Sequence, residues 1–253
     1  MRRIIFILLL LAPTTLPAPA QAQQRGKSTG GVVIRSKPIT TQSHVYQLGA
    51  RGIAIPPPAG FAEALSQSDL LANVLIATED PNNEVLAAHL PVEELSRLKK
   101  GGRPGFNFYT KVSVPKLAKA RDMTEAEFAS LVSQVESTIS QVLDINGPVM
   151  KSAVQNLRGG LSSVSGKEVP LELSQPQNLG SFEKTKDVYS IMLVMALQVP
   201  SDKLPLLCGV SLVKVNRRLL YVYTYRRFTS EKDVEQLRDF TREWVGQILS
   251  ANL

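Results

Sequence analysis

The clearest periodic pattern in the chain begins at "MTEAEFASLVSQVESTISQVLD". Phe128, Leu131, Val132, Val135, Ile139, Val142 and Leu143 recur at three-and-four spacing, which puts one apolar stripe on a helix. Thr124 and Glu127 stand at the spacing of a capping box, so the spacing predicts a helix start there. Gly147-Pro148 interrupts the pattern, and "VMKSAVQNLR" resumes it as a shorter helix with Gly159-Gly160 as the expected stop. A second amphipathic stretch closes the chain. In "TSEKDVEQLRDFTREWVGQILSANL", Val234, Leu237, Thr241, Trp244, Val245 and Ile248 share a face, with charged residues largely opposite. Ser230 and Asp233 predict its N-terminus.

Between and before these helices the pattern is that of strands. "VYSIMLVMALQV", "LCGVSLVKV" and "RLLYVYTYRRF" follow one another with no helical crossover between them, which predicts antiparallel neighbours. "KEVPLELS", "GSFEKT" and "FNFYTKVSVP" have strand composition. "NVLIATEDPNNEVLAAHL" reads as two strands about the turn-rich "DPNN", and "PVEELSRLKKGG" as a short helix stopped by Gly101-Gly102. A strand is expected near 45–55 and a bend at 56–60, where three prolines cannot continue a ladder. The expected fold is α+β, a mostly antiparallel sheet flanked by a long central helical region (about 124–158) and a C-terminal helix (about 230–250). The expected division is 1–22, a flexible tail over 23–43, and one domain over 44–253.

Residues 1–22 change the picture of where the protein works. Arg2 and Arg3 precede a short apolar core, and Ala20-Gln21-Ala22 is a small-x-small site, the pattern of a cleaved secretory signal. The apolar run falls short of the ~20 residues a membrane span needs. The sequence therefore predicts a periplasmic or secreted protein cut after Ala22, with no transmembrane segment in the mature chain. Losing Arg2 and Arg3 lowers the formal charge from +7 to +5. That balance suits solubility and also an anionic envelope surface. A hydrophobic share of 43% is enough for a substantial core. Cys208 is the one cysteine, so no intrachain disulfide can form, and its apolar setting predicts a buried small side chain.

"RRLLYVYTYRRF" is the most chemically marked stretch. Strand alternation puts Arg217, Leu219, Tyr221, Tyr223, Tyr225 and Arg227 on one face and Arg218, Leu220, Val222, Thr224, Arg226 and Phe228 on the other. The second face is the drier seat for the Trp244 helix. The first has two possible uses: packing beneath the 124–158 helices, or an open platform in which Tyr221, Tyr223, Tyr225, Arg217 and Arg227 meet a partner. Nucleic acid is not the expected partner, since the chain carries an export signal and the strand lacks the Gly-aromatic-Gly arrangement of RNA-recognition sheets.

The chain carries few of the patterns that mark catalytic or metal-binding sites. His44 and His89 are the two histidines, and no G-x-S-x-G surrounds a serine. Neither H-E-x-x-H nor paired cysteines occur, so no metal or cofactor is expected. Ser-x-x-Lys occurs at Ser96/Lys99, Ser113/Lys116, Ser181/Lys184 and Ser211/Lys214 without the companion S-D-N and K-T-G motifs. "EDPNNE" crowds oxygen ligands but lacks the glycine and distant glutamate of a calcium loop, and "KKGGRPG" does not match a phosphate-binding loop.

The strand "GIAIP" before "AGF", the late meander with "LLYVYTY", and the Trp244-bearing terminal helix together resemble the PsbP/Mog-like α+β fold and exported bacterial proteins similar to it, best over residues 207–253. The resemblance implies a small non-enzymatic domain that assists a larger assembly, and it transfers no site residues. The functional expectation is a non-enzymatic exported protein that binds an envelope partner, with an envelope hydrolase or a small-ligand carrier as alternatives.

Overall fold

A computed structural model describes residues 39, 41–100, 105–199 and 202–253. The signal-peptide reading of 1–22 and the Gly101-Gly102 stop lie outside the described residues. The chain forms an α+β fold around one eight-stranded antiparallel sheet. Its central strands are β10 (Arg218–Arg227), β9 (Asp202–Val215) and β5 (Phe108–Pro115). β4 (Asn83–Pro91) and the short β3 (Phe61–Glu63) extend it past β5. On the other side β8 (Val188–Val199) pairs with β9, and both β6 (Glu172–Leu173) and β7 (Gln177–Lys184) pair with β8. The β9–β10 connection is the two-residue turn Asn216-Arg217 with both φ positive (47° and 62°), a geometry whose twist suits a tight hairpin.

Both faces of the sheet are covered. On one, helices α1 (Asp69–Ala77), α3 (Glu125–Val142) and α4 (Pro148–Ser165) bury Leu71, Phe128, Leu131, Val135 and Leu157 against Tyr109, Ile191, Cys208, Val210, Leu219 and the β10 tyrosines. The short helix α2 (Val92–Lys99) adds Leu95 to the same core. On the other face, α5 (Lys232–Ser250) brings Trp244, Val245 and Ile248 onto Val112, Val213, Leu220 and Val222. It shares that face with a hairpin of β1 (His44–Leu48) and β2 (Arg51–Ile55). The indole Nε1 donates to the Pro56 carbonyl at 2.8 Å, so the ring is buried with its one polar atom satisfied. α5 also donates from Arg238 and Arg242 to the Leu179 and Phe182 carbonyls, occupying acceptors of β7 at the sheet margin.

Two glycines let these layers close. At Gly209 a Cβ would lie 2.4 Å from Thr224 Oγ1 and 2.9 Å from Thr241 Oγ1, the hydroxyl pair (2.6 Å apart) through which α5 crosses β10. At Gly160 a Cβ would lie 2.1 Å from the Ala77 carbonyl, so α4 meets the end of α1 backbone to backbone.

Several expectations are corrected. The first half of "NVLIATEDPNNEVLAAHL" is not a strand but the end of α1, whose start is held by the Ser68 side chain accepting from Leu71 N. The single strand near 45–55 is a hairpin turning at Gly49-Ala50. The helical region of 124–158 divides at Gly147-Pro148 as expected, but Gly159-Gly160 does not stop the second helix. α4 continues to Ser165 and ends at Gly166, whose φ of 70° supplies the left-handed cap. Ser230 does not cap α5 by its side chain; instead Asp233 accepts from the backbone N–H groups of Thr229 and Ser230. Within the expected tail, Ile39 packs against the helix-side core.

Candidate functional site

Burial decides between the two uses of the tyrosine face. The alternation itself is as read: Leu219, Tyr221, Tyr223 and Tyr225 face one core, Leu220 and Val222 the other. But α1, α3 and α4 lie over the tyrosines, and all three are buried. They are therefore not an open platform. Tyr225 stacks on Tyr109 with centroids 4.5 Å apart, and burial pushes the phenols of Tyr223 and Tyr225 well above their ordinary range. Arg217 is not on the tyrosine face, because it occupies the β9–β10 turn; Arg227 is exposed at the strand end. The five residues do not form one patch. Tyr221, at the start of the strand, borders a surface opening.

That opening is a cleft of about 630 Å³ at one end of the sheet. Its floor is Leu219 and Tyr221 of β10, and one wall is the α3 face carrying Glu127, Ser130, Leu131 and Gln134. The other wall is the connection from β5 to α3, with Pro115, Leu117, Ala118, Arg121, Asp122 and Met123, and Asn82-Asn83 at the start of β4 close it. The local sequence explains this wall. Pro115 ends the ladder, Lys116–Ala118 make a single 3₁₀ turn, and Thr124 begins α3 with the full capping box. The connection is fastened at intervals. Lys116 N donates to Asn82 O at 2.9 Å, and Met123 N to Arg217 O at 2.9 Å. Within this fastened loop Leu117 is 97% exposed.

Asp122 is the electrostatic centre of the cleft rim. Its carboxylate meets Arg51 of the β1–β2 hairpin (3.1 Å), Arg217 (3.0 Å) and Arg218. Hydrogen bonds from Arg51 and then Arg218, with the charge of Arg217, hold its carboxyl down at about 2. Arg218 Nε also donates to Leu48 O at 2.9 Å, so the β1–β2 hairpin and the β9–β10 turn are tied to each other as well as to this one acid. Glu127 accepts from Thr124 N and from Arg121, and its pKa is lowered, the Thr124 backbone bond being the largest cause.

The sequence-marked polar residues are dispersed. His89 is buried, with Nδ1 3.0 Å from Thr110 Oγ1 and its ring edge-on to Trp244. Burial, and secondarily the charge of His44, pushes it down to about 3, so it stays neutral at ordinary pH. Ser211 Oγ lies 2.7 Å from Ser190 Oγ, while Lys214 is paired with Asp187 at 2.7 Å. In "EDPNNE", Glu79 takes Lys111 in a buried ion pair at 2.7 Å and accepts from Asn83 Nδ2 at 3.0 Å. Lys111 Nζ also lies 5.1 Å from the Tyr223 ring centroid. Burial pushes the Cys208 thiol up. Among the described residues no group of three or more His, Cys, Asp or Glu could hold a metal ion, and no helix is long and apolar enough to cross a membrane.

Sequence reasoning missed this cleft. The connection that forms its second wall carries no sequence signal beyond Pro115 and an unpatterned polar stretch that contains Leu117. No protein-family model matches the chain, and no curated protein matches it. Among solved structures the chain is similar to a mutant of the protein Mog1, at 10% identity and a TM-score of 0.32, over 83% of this chain and 94% of that one. A likeness at that level carries no argument about function here.

Proposed function

We propose that this is an exported, non-enzymatic α+β protein that binds a partner protein in the cell envelope through the cleft beside Leu117. The observation that carries the reading is a nearly fully exposed leucine on a fastened loop, beside an apolar floor of Leu219 and Tyr221 and the Leu131 side of the α3 wall. An apolar side chain held in water beside a concave apolar surface is a feature of docking sites. The polar groups argue in the same direction. His89 is enclosed and neutral, and the cleft carboxylates Asp122 and Glu127 are held ionised by their partners, so neither is poised to give up a proton near neutral pH. Export rests on the pattern of residues 1–22.

The test is photo-crosslinking in intact cells with a benzoylphenylalanine at position 117, and at exposed Gly159 as control. The expected result is a discrete adduct from position 117 alone. Equal or absent adducts at both positions would overturn the reading. The cleft volume also falls within the ~300–1,000 Å³ of small-ligand sites, which favours a carrier as the second reading. A carrier would be stabilised against heat by its ligand and would give no adduct at 117.

A further inference from the structure

We infer that the partner enters the cleft with an acidic–apolar segment: a large aliphatic or aromatic side chain flanked, within two residues, by a carboxylate. This rests on the cleft being the docking surface and adds the chemistry of what docks. The apolar part follows from Leu117, Leu131, Leu219 and Tyr221. The acidic part follows from charge at the rim. Arg51, Arg217 and Arg218 share the single carboxylate of Asp122, so that group keeps a positive surplus. Arg121 is 71% exposed and bonds Glu127 through Nη2. A guanidinium carries five N–H donors in a fixed fork, which leaves Arg121 able to take a second carboxylate. Lys116, on the same 3₁₀ turn as Leu117, gives one hydrogen bond to the Pro81 carbonyl at 2.8 Å and has three donors. Both acids lining the cleft, by contrast, are already engaged by arginine. A basic segment would meet surplus like charge; an acidic one meets open donors.

A random-peptide display selection tests this on the mature protein, with counter-selection on Ser130→Trp. Ser130 is exposed on the α3 wall, so the indole fills the cleft without entering the core. The expected result is enrichment of Asp or Glu within two positions of Leu, Ile, Phe or Trp. A synthetic peptide of the enriched sequence should bind about tenfold more weakly to Arg121→Glu, which leaves folding intact because Arg121 is exposed, and should weaken with added salt. Enrichment of basic or uncharged sequences, no enrichment, or binding indifferent to Arg121→Glu would each overturn the inference. If position 117 still crosslinks in cells while the selection fails, the acidic chemistry is wrong and the docking surface stands. If neither succeeds, the docking surface falls as well.

Discussion

Gly159 and Gly160 are neighbours in α4, and the same substitution should move stability in opposite directions at the two. At Gly159 an added Cβ meets nothing within 4 Å, and the residue is exposed on a helix. Alanine there gains helix propensity and loses unfolded-chain freedom, so Gly159→Ala should stabilise by roughly 0.5–1 kcal/mol. At Gly160 the same methyl would lie 2.1 Å from Ala77 O and 2.6 Å from Ala77 C. An ordinary contact requires the two helices to part by about 1 Å, and overpacking of this kind costs ~1–3 kcal/mol. The propensity gain offsets part of that, leaving a net loss of about 1–2 kcal/mol for Gly160→Ala. For a chain of this size 1 kcal/mol moves Tm by roughly 2–4 °C. The Gly159 variant should therefore melt about 1–4 °C higher and the Gly160 variant about 2–8 °C lower. Urea unfolding followed by the single tryptophan checks both on one scale. If Gly160→Ala is neutral or stabilising, α1 and α4 do not touch there, and the account of how the tyrosine face is covered fails.

Trp244 should emit at short wavelength in the native state and be poorly quenched by acrylamide; Trp244→Phe should cost about 2 kcal/mol by leaving the Pro56 carbonyl unpaired and a void beside His89. Glu79→Gln should lower stability by roughly 3–5 kcal/mol because it strands the Lys111 ammonium in the core, whereas Glu79→Leu with Lys111→Met should recover most of that loss in the same urea assay. The Asp122 carboxyl is held at about 2 against an ordinary value of 3.8. A depressed acid contributes stability that is complete above its unfolded value and fades as pH falls through the folded one, so Asp122→Asn should flatten the decline of Tm between about pH 4 and pH 2. An unchanged slope would remove the arginine cluster from the account.

What could be read in advance was local. The capping box at Thr124–Glu127 closes as its spacing required, because both partners lie within one turn. The α5 stripe buries Leu237, Thr241, Trp244, Val245 and Ile248, since a helix carries its own periodicity. α1 was misread because Asn73–Ala77 is short and apolar enough to suit a strand; Ser68-Asp69 just upstream was the start signal that would have corrected it. Gly160 looked like punctuation because a sequence shows glycine's freedom and not the neighbour that needs its missing Cβ. The Asp122 cluster was invisible for a similar reason, since Arg51 and Arg218 reach it from 71 and 96 positions away.

The position of the proposed site follows from the same division between local and long-range order. The tyrosine strand carries the chemistry that attracts attention, but a central strand with helices on one face and α5 with a hairpin on the other has no surface to offer. A partner can reach this sheet only where a covering element stands away from it. One such place is where Pro115 ends β5 and α3 begins one loop later, so that the helix start and the strand ends splay apart. The three-arginine cluster on Asp122 braces that loop against the hairpin and the β9–β10 turn. A loop held in place with a leucine turned outward has already lost the entropy that docking would otherwise take from it, and that preorganisation is the physical ground for proposing this edge, and not the tyrosine ladder, as the docking surface.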